Sequence, residues 1–166
     1  MGSVACILFI KKDFMDTTAS EIQKLNMEVG GLNHFMKCSF CGICCQKTKM
    51  MLSFEDVKRL ERLGYDCQKF VFRDRQGFFC LRNDHGHCFF YNIQNHSCKV
   101  YKDRPLGCYI YPVIYQVGKG MSVDDICPMK YTVSKRELKR KGKELSDLIQ
   151  RLSQESKVDL LGILNI

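Results

Sequence analysis

Four cysteines fall within eight consecutive residues, Cys38-Ser39-Phe40-Cys41-Gly42-Ile43-Cys44-Cys45. Two C-x-x-C steps in series, ending in an adjacent pair, let the backbone loop around a metal while several thiolates converge on it. Gly42 stands where such a loop needs a positive φ, so the backbone can approach an ion or cluster sulfides with no Cβ in the way. Disulfide pairing accounts poorly for the run, because neighbours this dense cannot all meet disulfide geometry.

Further cysteines stand at Cys88, Cys98, Cys108 and Cys127. Eight thiolates make two tetrahedral sets, one cubane and one zinc, or a multinuclear site with shared sulfurs. Cys38, Cys41 and Cys44 reproduce the first three ligands of a bacterial ferredoxin run, but Thr48 occupies the place of its fourth. A remote ligand is then required. Cys127, followed by Pro128, is the first choice and Cys108 the second. Cys6, Cys67 and Cys80 fall outside the pattern and read as structural thiols, since free cysteine behaves as a small hydrophobe. His85, His87 and His96 read as turn residues or hydrogen-bond partners of ligands more than as ligands. Tyr101, Tyr109 and Tyr111 are candidates to shield the site or simply to pack. Arg104 either offsets thiolate charge or makes a surface salt bridge. Asp103 and Glu55 have no second group at a telling spacing, and no catalytic residue is assigned.

The elements that must carry these residues are short. Apolar positions Ile22, Leu25 and Val29 predict a helix over 19–29, stopped by Gly30-Gly31. Residues 1–14 read as loosely attached, with Met15 a second plausible start. Ser53 ahead of Glu55 and Asp56 predicts a capped helix with Val57, Leu60 and Leu63 inside, ended by Gly64. Phe70 to Phe72 and Phe78 to Leu81 predict strands about a turn at Arg75-Gln76-Gly77. Extended pieces at Cys88 to Tyr91 and Cys98 to Tyr101 predict a small antiparallel meander. Pro105 and Pro112 place Cys108 in a non-regular segment. Val113 to Val117 predicts another strand, with Gly118-Lys119-Gly120 turning the chain towards Cys127. A capping box at Ser134 and Glu137 opens the longest helix, striped by Leu138, Leu145, Leu148, Ile149 and Leu152, with a basic face from Lys135 to Lys143 read as solvated. The tail 160–166 is apolar enough to dock on the body or on a second copy.

At 166 residues, 45% apolar and 27% charged, the chain has the composition of a single globular domain, with no run long enough to cross a bilayer. Its formal charge of +8 counts every cysteine as neutral. Two four-thiolate centres at about −2 each would lower it to roughly +4, so the basicity offsets sulfur more than it signals nucleic acid. An odd count of eleven cysteines, C-x-x-C steps and the lack of a recognisable secretory leader predict a reducing, cytoplasmic setting.

The chain resembles the YkgJ family of cysteine-cluster proteins, zinc- or iron-chelating domains with the hallmark C-x-x-C-x-x-C-C. Cys38, Cys41, Cys44 and Cys45 meet that hallmark. Cys88, then Cys98 with Tyr101, Arg104-Pro105 with Cys108, Tyr111-Pro112 and Cys127 meet its later pattern, over about residues 35 to 130. Tyr109 departs from it, standing where the family commonly has Arg. The resemblance implies metal or iron-sulfur chelation by these eight cysteines. Flagellin lysine methylases carry a similar cysteine pattern, linked with a [4Fe-4S] cluster and S-adenosylmethionine; no glycine-rich dinucleotide-type loop accompanies it here.

The expected fold is α+β, small antiparallel strands and irregular loops around a cysteine-bound metal centre, flanked by helices. Its expected divisions are an N-terminal segment and helix over 1–34, the cysteine-cluster domain over 35–130, and a C-terminal helix over 131–166 packed on that domain. The expected function is an iron-sulfur protein, [4Fe-4S] favoured over zinc, in electron transfer, cluster carriage or redox sensing with a redox or cluster-exchange partner. A structural zinc module offering its basic helix to protein or RNA is the alternative, and a metal-dependent, methyltransferase-related enzyme the second. No membrane association is expected.

Overall fold

The computed structural model describes residues 38–157. The predicted helix over 19–29, the tail and Cys6 lie outside them. The described chain is mixed α+β, with four helices and eight short strands paired antiparallel in twos. No helix among the described residues is long and apolar enough to cross a membrane.

Helix α1 (Phe54–Arg62) starts where Ser53 predicts. The Ser53 hydroxyl accepts from the Asp56 amide, and Asp56 in return accepts from the Ser53 amide, so two otherwise unsatisfied donors are closed at once. Helix α2 (Cys67–Phe70) corrects the strand expectation at its first residue: Asp66 caps it through the Gln68 amide, and extended chain begins only at Val71. Strands β1 (Val71–Arg73) and β2 (Phe79–Leu81) then form the predicted hairpin.

The expected meander is instead two separate ladders of two-residue strands, β3 (Asn83–Asp84) with β4 (His87–Cys88) and β5 (Tyr91–Asn92) with β6 (Ser97–Cys98). Left-handed backbone at His85 and at His96 turns the chain too soon for longer pairing. Cys108 also departs from expectation, since it lies in helix α3 (Leu106–Ile110). Pro105 occupies the N-cap and restricts only Arg104, while Pro112 restricts Tyr111 at the C-cap, so a five-residue helix fits between the two constraints. Strands β7 (Val113–Gln116) and β8 (Gly120–Val123) make the fourth hairpin.

Helix α4 (Lys135–Ser156) opens at Ser134, whose hydroxyl accepts from the Glu137 amide. Leu145, Leu148, Ile149 and Leu152 pack on Met51, Phe78, Ile110, Val113 and Tyr115. A second core joins Met50, Leu52, Leu60, Phe70, Leu81, Phe90 and Val100. Met50, Met51 and Leu52 are extended alongside β2, with Leu81 donating to the Met50 carbonyl and Leu52 to that of Phe79. Alternation along this segment sends Met51 into one core and its two neighbours into the other, so one backbone strip ties both together.

Leu148→Ala removes a side chain only 1% exposed at the seat of α4. Urea denaturation should show a loss of about 2–5 kcal/mol; a loss below about 1 kcal/mol would mean that α4 is not seated in this core.

Candidate metal centre

Five separate pieces of chain bring the eight cysteines of the pattern to one place. Cys44 and Cys45 lie in a 3-10 turn over Ile43–Cys45, entered through Gly42 at φ 72°. A Cβ built on Gly42 would stand 2.1 Å from the Tyr91 hydroxyl oxygen, so both the backbone angle and the space require glycine. Cys38 and Cys41 precede the turn in loop, and Cys38 Sγ accepts from the Phe40 amide at 3.3 Å. Cys88 ends β4, its Sγ accepting from the Phe90 amide at 3.4 Å, and Cys98 ends β6 opposite Tyr91. Helix α3 presents Cys108. Cys127 follows a turn fixed by buried Asp124, whose amide donates to the Pro112 carbonyl and whose carbonyl accepts from the Cys127 amide.

All eight thiols line a single cavity of about 210 Å³. Cys67 and Cys80 do not line it; Cys67 flanks the second core as a free thiol, whereas Cys80, fully buried in the α4 core, is disulfide-bonded, which corrects its reading as a structural thiol. Thr48, in the place of a fourth ferredoxin-type cysteine, is buried beside the cavity, and Cys127 lines the same cavity from the turn after β8.

Burial favours the neutral form of most of these thiols, and their neighbours add to it. The hydrogen bond with Cys45 and then burial drive the Cys44 thiol far above its ordinary value. Burial pushes Cys88 up to about 12, with Cys98 and Cys44 adding to the shift. Burial likewise raises Cys38, Cys98, Cys108 and Cys127, and the charge of Cys44 contributes to each. Arg104 opposes the rise at Cys38 and Cys98. Supplying a cation among these sulfurs reverses the balance, because a bound metal stabilises thiolate directly. The donor chemistry therefore fits zinc or iron, which soft thiolate sets favour.

Several supporting groups were not singled out by sequence. Asp56, fully buried, accepts from Arg59 at 2.6 Å and from the Leu106 amide at 3.0 Å. Arg59 donates to the carbonyls of Asp103 and Arg104. The start of α1 therefore clamps the segment leading into Cys108. Arg104 itself lies over Tyr101 at 4.1 Å and Tyr109 at 5.1 Å, half-buried and lining the cavity, with no carboxylate paired to it among the described residues. This environment matches charge compensation and not a surface salt bridge.

Lys141 corrects the reading of a wholly solvated basic face. It is 4% exposed, lines the cavity, pairs with Glu137 at 3.3 Å and approaches Tyr109. Its position one turn after Glu137 is the signal that periodicity offered and composition hid. The histidines divide. His85 sits in the β3–β4 turn against Asp84, His87 stacks on Tyr91, and His96 lines the cavity with Nδ1 3.0 Å from the Tyr91 hydroxyl. Tyr101, Tyr109 and Tyr111 all line the cavity wall; Asp103 and Glu55 do not.

No group of three or more His, Cys, Asp or Glu among the described residues is set for a single ion.

Two outcomes follow. Asp56→Asn should cost about 1.5–3 kcal/mol, the loss of charge-assisted hydrogen bonds, and should loosen metal retention through the Cys108 segment. Unchanged denaturation and unchanged metal competition would show that the clamp does not hold that segment. Thiols that burial raises above their ordinary range are protonated at neutral pH, so metal loading should release protons and tighten as pH rises. Titration in weak buffer measures the release, and loading without it would contradict the neutral-thiol state.

Comparison with curated proteins and with solved structures gave no match. The family profile titled "CxxCxxCC: Putative zinc- or iron-chelating domain" matches residues 37–128. That interval begins one residue before Cys38 and ends one residue after Cys127, so it spans the eight cavity-lining cysteines and leaves out α4. The chain belongs to this CxxCxxCC family of the YkgJ type.

Proposed function

We propose that the protein binds an iron-sulfur cluster through these cysteines and works in electron transfer, cluster carriage or redox sensing. One observation carries the reading: eight thiols from separate segments face one cavity, ringed by aromatic side chains and with Arg104 beside them. In a cluster each thiolate binds its own iron, so a cluster can draw on several of the eight cavity-lining thiols at once. Cys127, the first choice for the remote fourth ligand of the ferredoxin-type run, lines the same cavity as Cys38, Cys41 and Cys44, as does the second choice, Cys108. The protein's part is to fix the ligands, exclude water with Tyr101 and Tyr111, and set the potential through the amides donating to Cys38 and Cys88. A cytoplasmic location and a redox or cluster-exchange partner belong to the same reading.

The zinc-module alternative finds support in the exposed residues Lys135, Arg136, Lys139 and Lys143 of α4, which leave a basic face in solvent even with Lys141 buried. Enzyme chemistry would need a coordination position left open to substrate.

Anaerobic purification followed by iron and acid-labile sulfide analysis should give both elements and a brown chromophore from thiolate-to-iron charge transfer. Stoichiometric zinc in a colourless sample that takes up no iron or sulfide on reconstitution would replace this reading with the zinc module.

A further inference from the structure

Arg104 and Tyr109 line the thiol cavity and also a second cavity, of about 220 Å³, which none of the eight cysteines lines. The start of α1, the chain around the 3-10 turn Tyr101–Asp103, and α4 meet there. Four cations line it, Arg59, Lys102, Arg104 and Arg151, against two carboxylates, Glu55 and Asp56. Both carboxylates are engaged: Asp56 accepts from Arg59 at 2.6 Å, and Glu55 accepts from Arg151. Lys102 and Arg104 are left over, neither of them paired with a carboxylate among the described residues. The Arg104 guanidinium gives one N–H to the Tyr101 carbonyl, and its other donors have no acceptor among the described residues.

The backbone that carries these two charges is held in place. Arg59 donates to the carbonyls of Asp103 and Arg104, and Asp56 accepts from the Leu106 amide, so the chain from Lys102 into α3 has little freedom to carry them apart. The rings of Tyr101 and Tyr109 hold the guanidinium itself. Like charges kept in one concavity are relieved by a counter-anion. A phosphate group carries about −1.5 to −2 at neutral pH and matches the surplus, whereas a single carboxylate would leave half of it. Its oxygens suit the planar fork of arginine, with lysine beside it as a point charge. We propose that this cavity is a phosphate-binding site gripped by Lys102 and Arg104, separate from the thiols and independent of which metal they hold. Free phosphate and the phosphate of a small organic ester share this chemistry, and Leu106 and Tyr109 add apolar wall that only the ester's organic part would use.

The full chain, with whatever metal it carries, is titrated by calorimetry with inorganic phosphate and with phenyl phosphate at fixed ionic strength, so that screening is constant. At least one of them should bind saturably, one per chain, with a Kd of about 1 mM or tighter. Lys102 is exposed and lines only this cavity, so Lys102→Gln should fold normally and weaken binding about tenfold. Lys139→Gln with Lys143→Gln removes twice the charge from the exposed face of α4 and should leave binding unchanged. Equal affinity for the two probes assigns the site to free phosphate, and tighter binding of phenyl phosphate assigns it to an ester; either supports the site. Absence of saturable binding by both probes overturns it. So does a Lys102→Gln chain that binds as wild type does, which would place the anion on the metal or elsewhere, and so does equal weakening by the α4 variant, which would mean attraction to net charge alone.

Discussion

Sulfur atoms that face one another across a shared cavity cannot give up their protons independently. Burial is the largest cost of forming a thiolate at Cys38, Cys88, Cys98, Cys108 and Cys127, and each thiolate formed beside them adds to it. A fold that gathers eight thiols is therefore least at ease without cations between them. The surrounding features answer to this constraint. Gly42 lets the turn close against Tyr91, Arg104 brings a guanidinium to the cavity between two tyrosines, and the amides of Phe40 and Phe90 point at sulfur.

Regular structure is sparse around the cavity, whose cysteines stand on loops, turns, strands of two residues and a helix of five. Strands of two residues bury little and pair weakly on their own. Order comes instead from side chains tied to backbone. Asp56 and Arg59 fix the approach to Cys108, Asp124 fixes the approach to Cys127, and the strip Met50 to Leu52 binds the cavity-bearing core to the one under α4. Small metal-binding folds distribute stability in this way, since coordination energy is itself folding energy.

Helix α4 lies outside the family-matched interval and yet reaches the site. Glu137, Arg140 and Lys141 line the cavity from its first turns, and Lys141 meets one of the two tyrosines that embrace Arg104. Tyr109 stands where a cation is usual in the resembling family. In this chain, ammonium and guanidinium groups flank that ring instead, and positive charge reaches the same wall by another route.

The sequence by itself determined the cysteine run, the need for glycine at position 42, the capped starts at Ser53 and Ser134, the apolar stripe of α4 and the family. Each rests on spacing within a few residues, where backbone geometry leaves little choice. Tertiary structure alone decided that Cys108 rides on a short helix, that the strands around Cys88 and Cys98 pair separately, that Asp56 serves α3 as well as its own helix, and that Lys141 is inside. It also set which thiols are neighbours, since contacts between segments as far apart as Cys38 and Cys127 depend on how the cores between them pack, and no local periodicity encodes that.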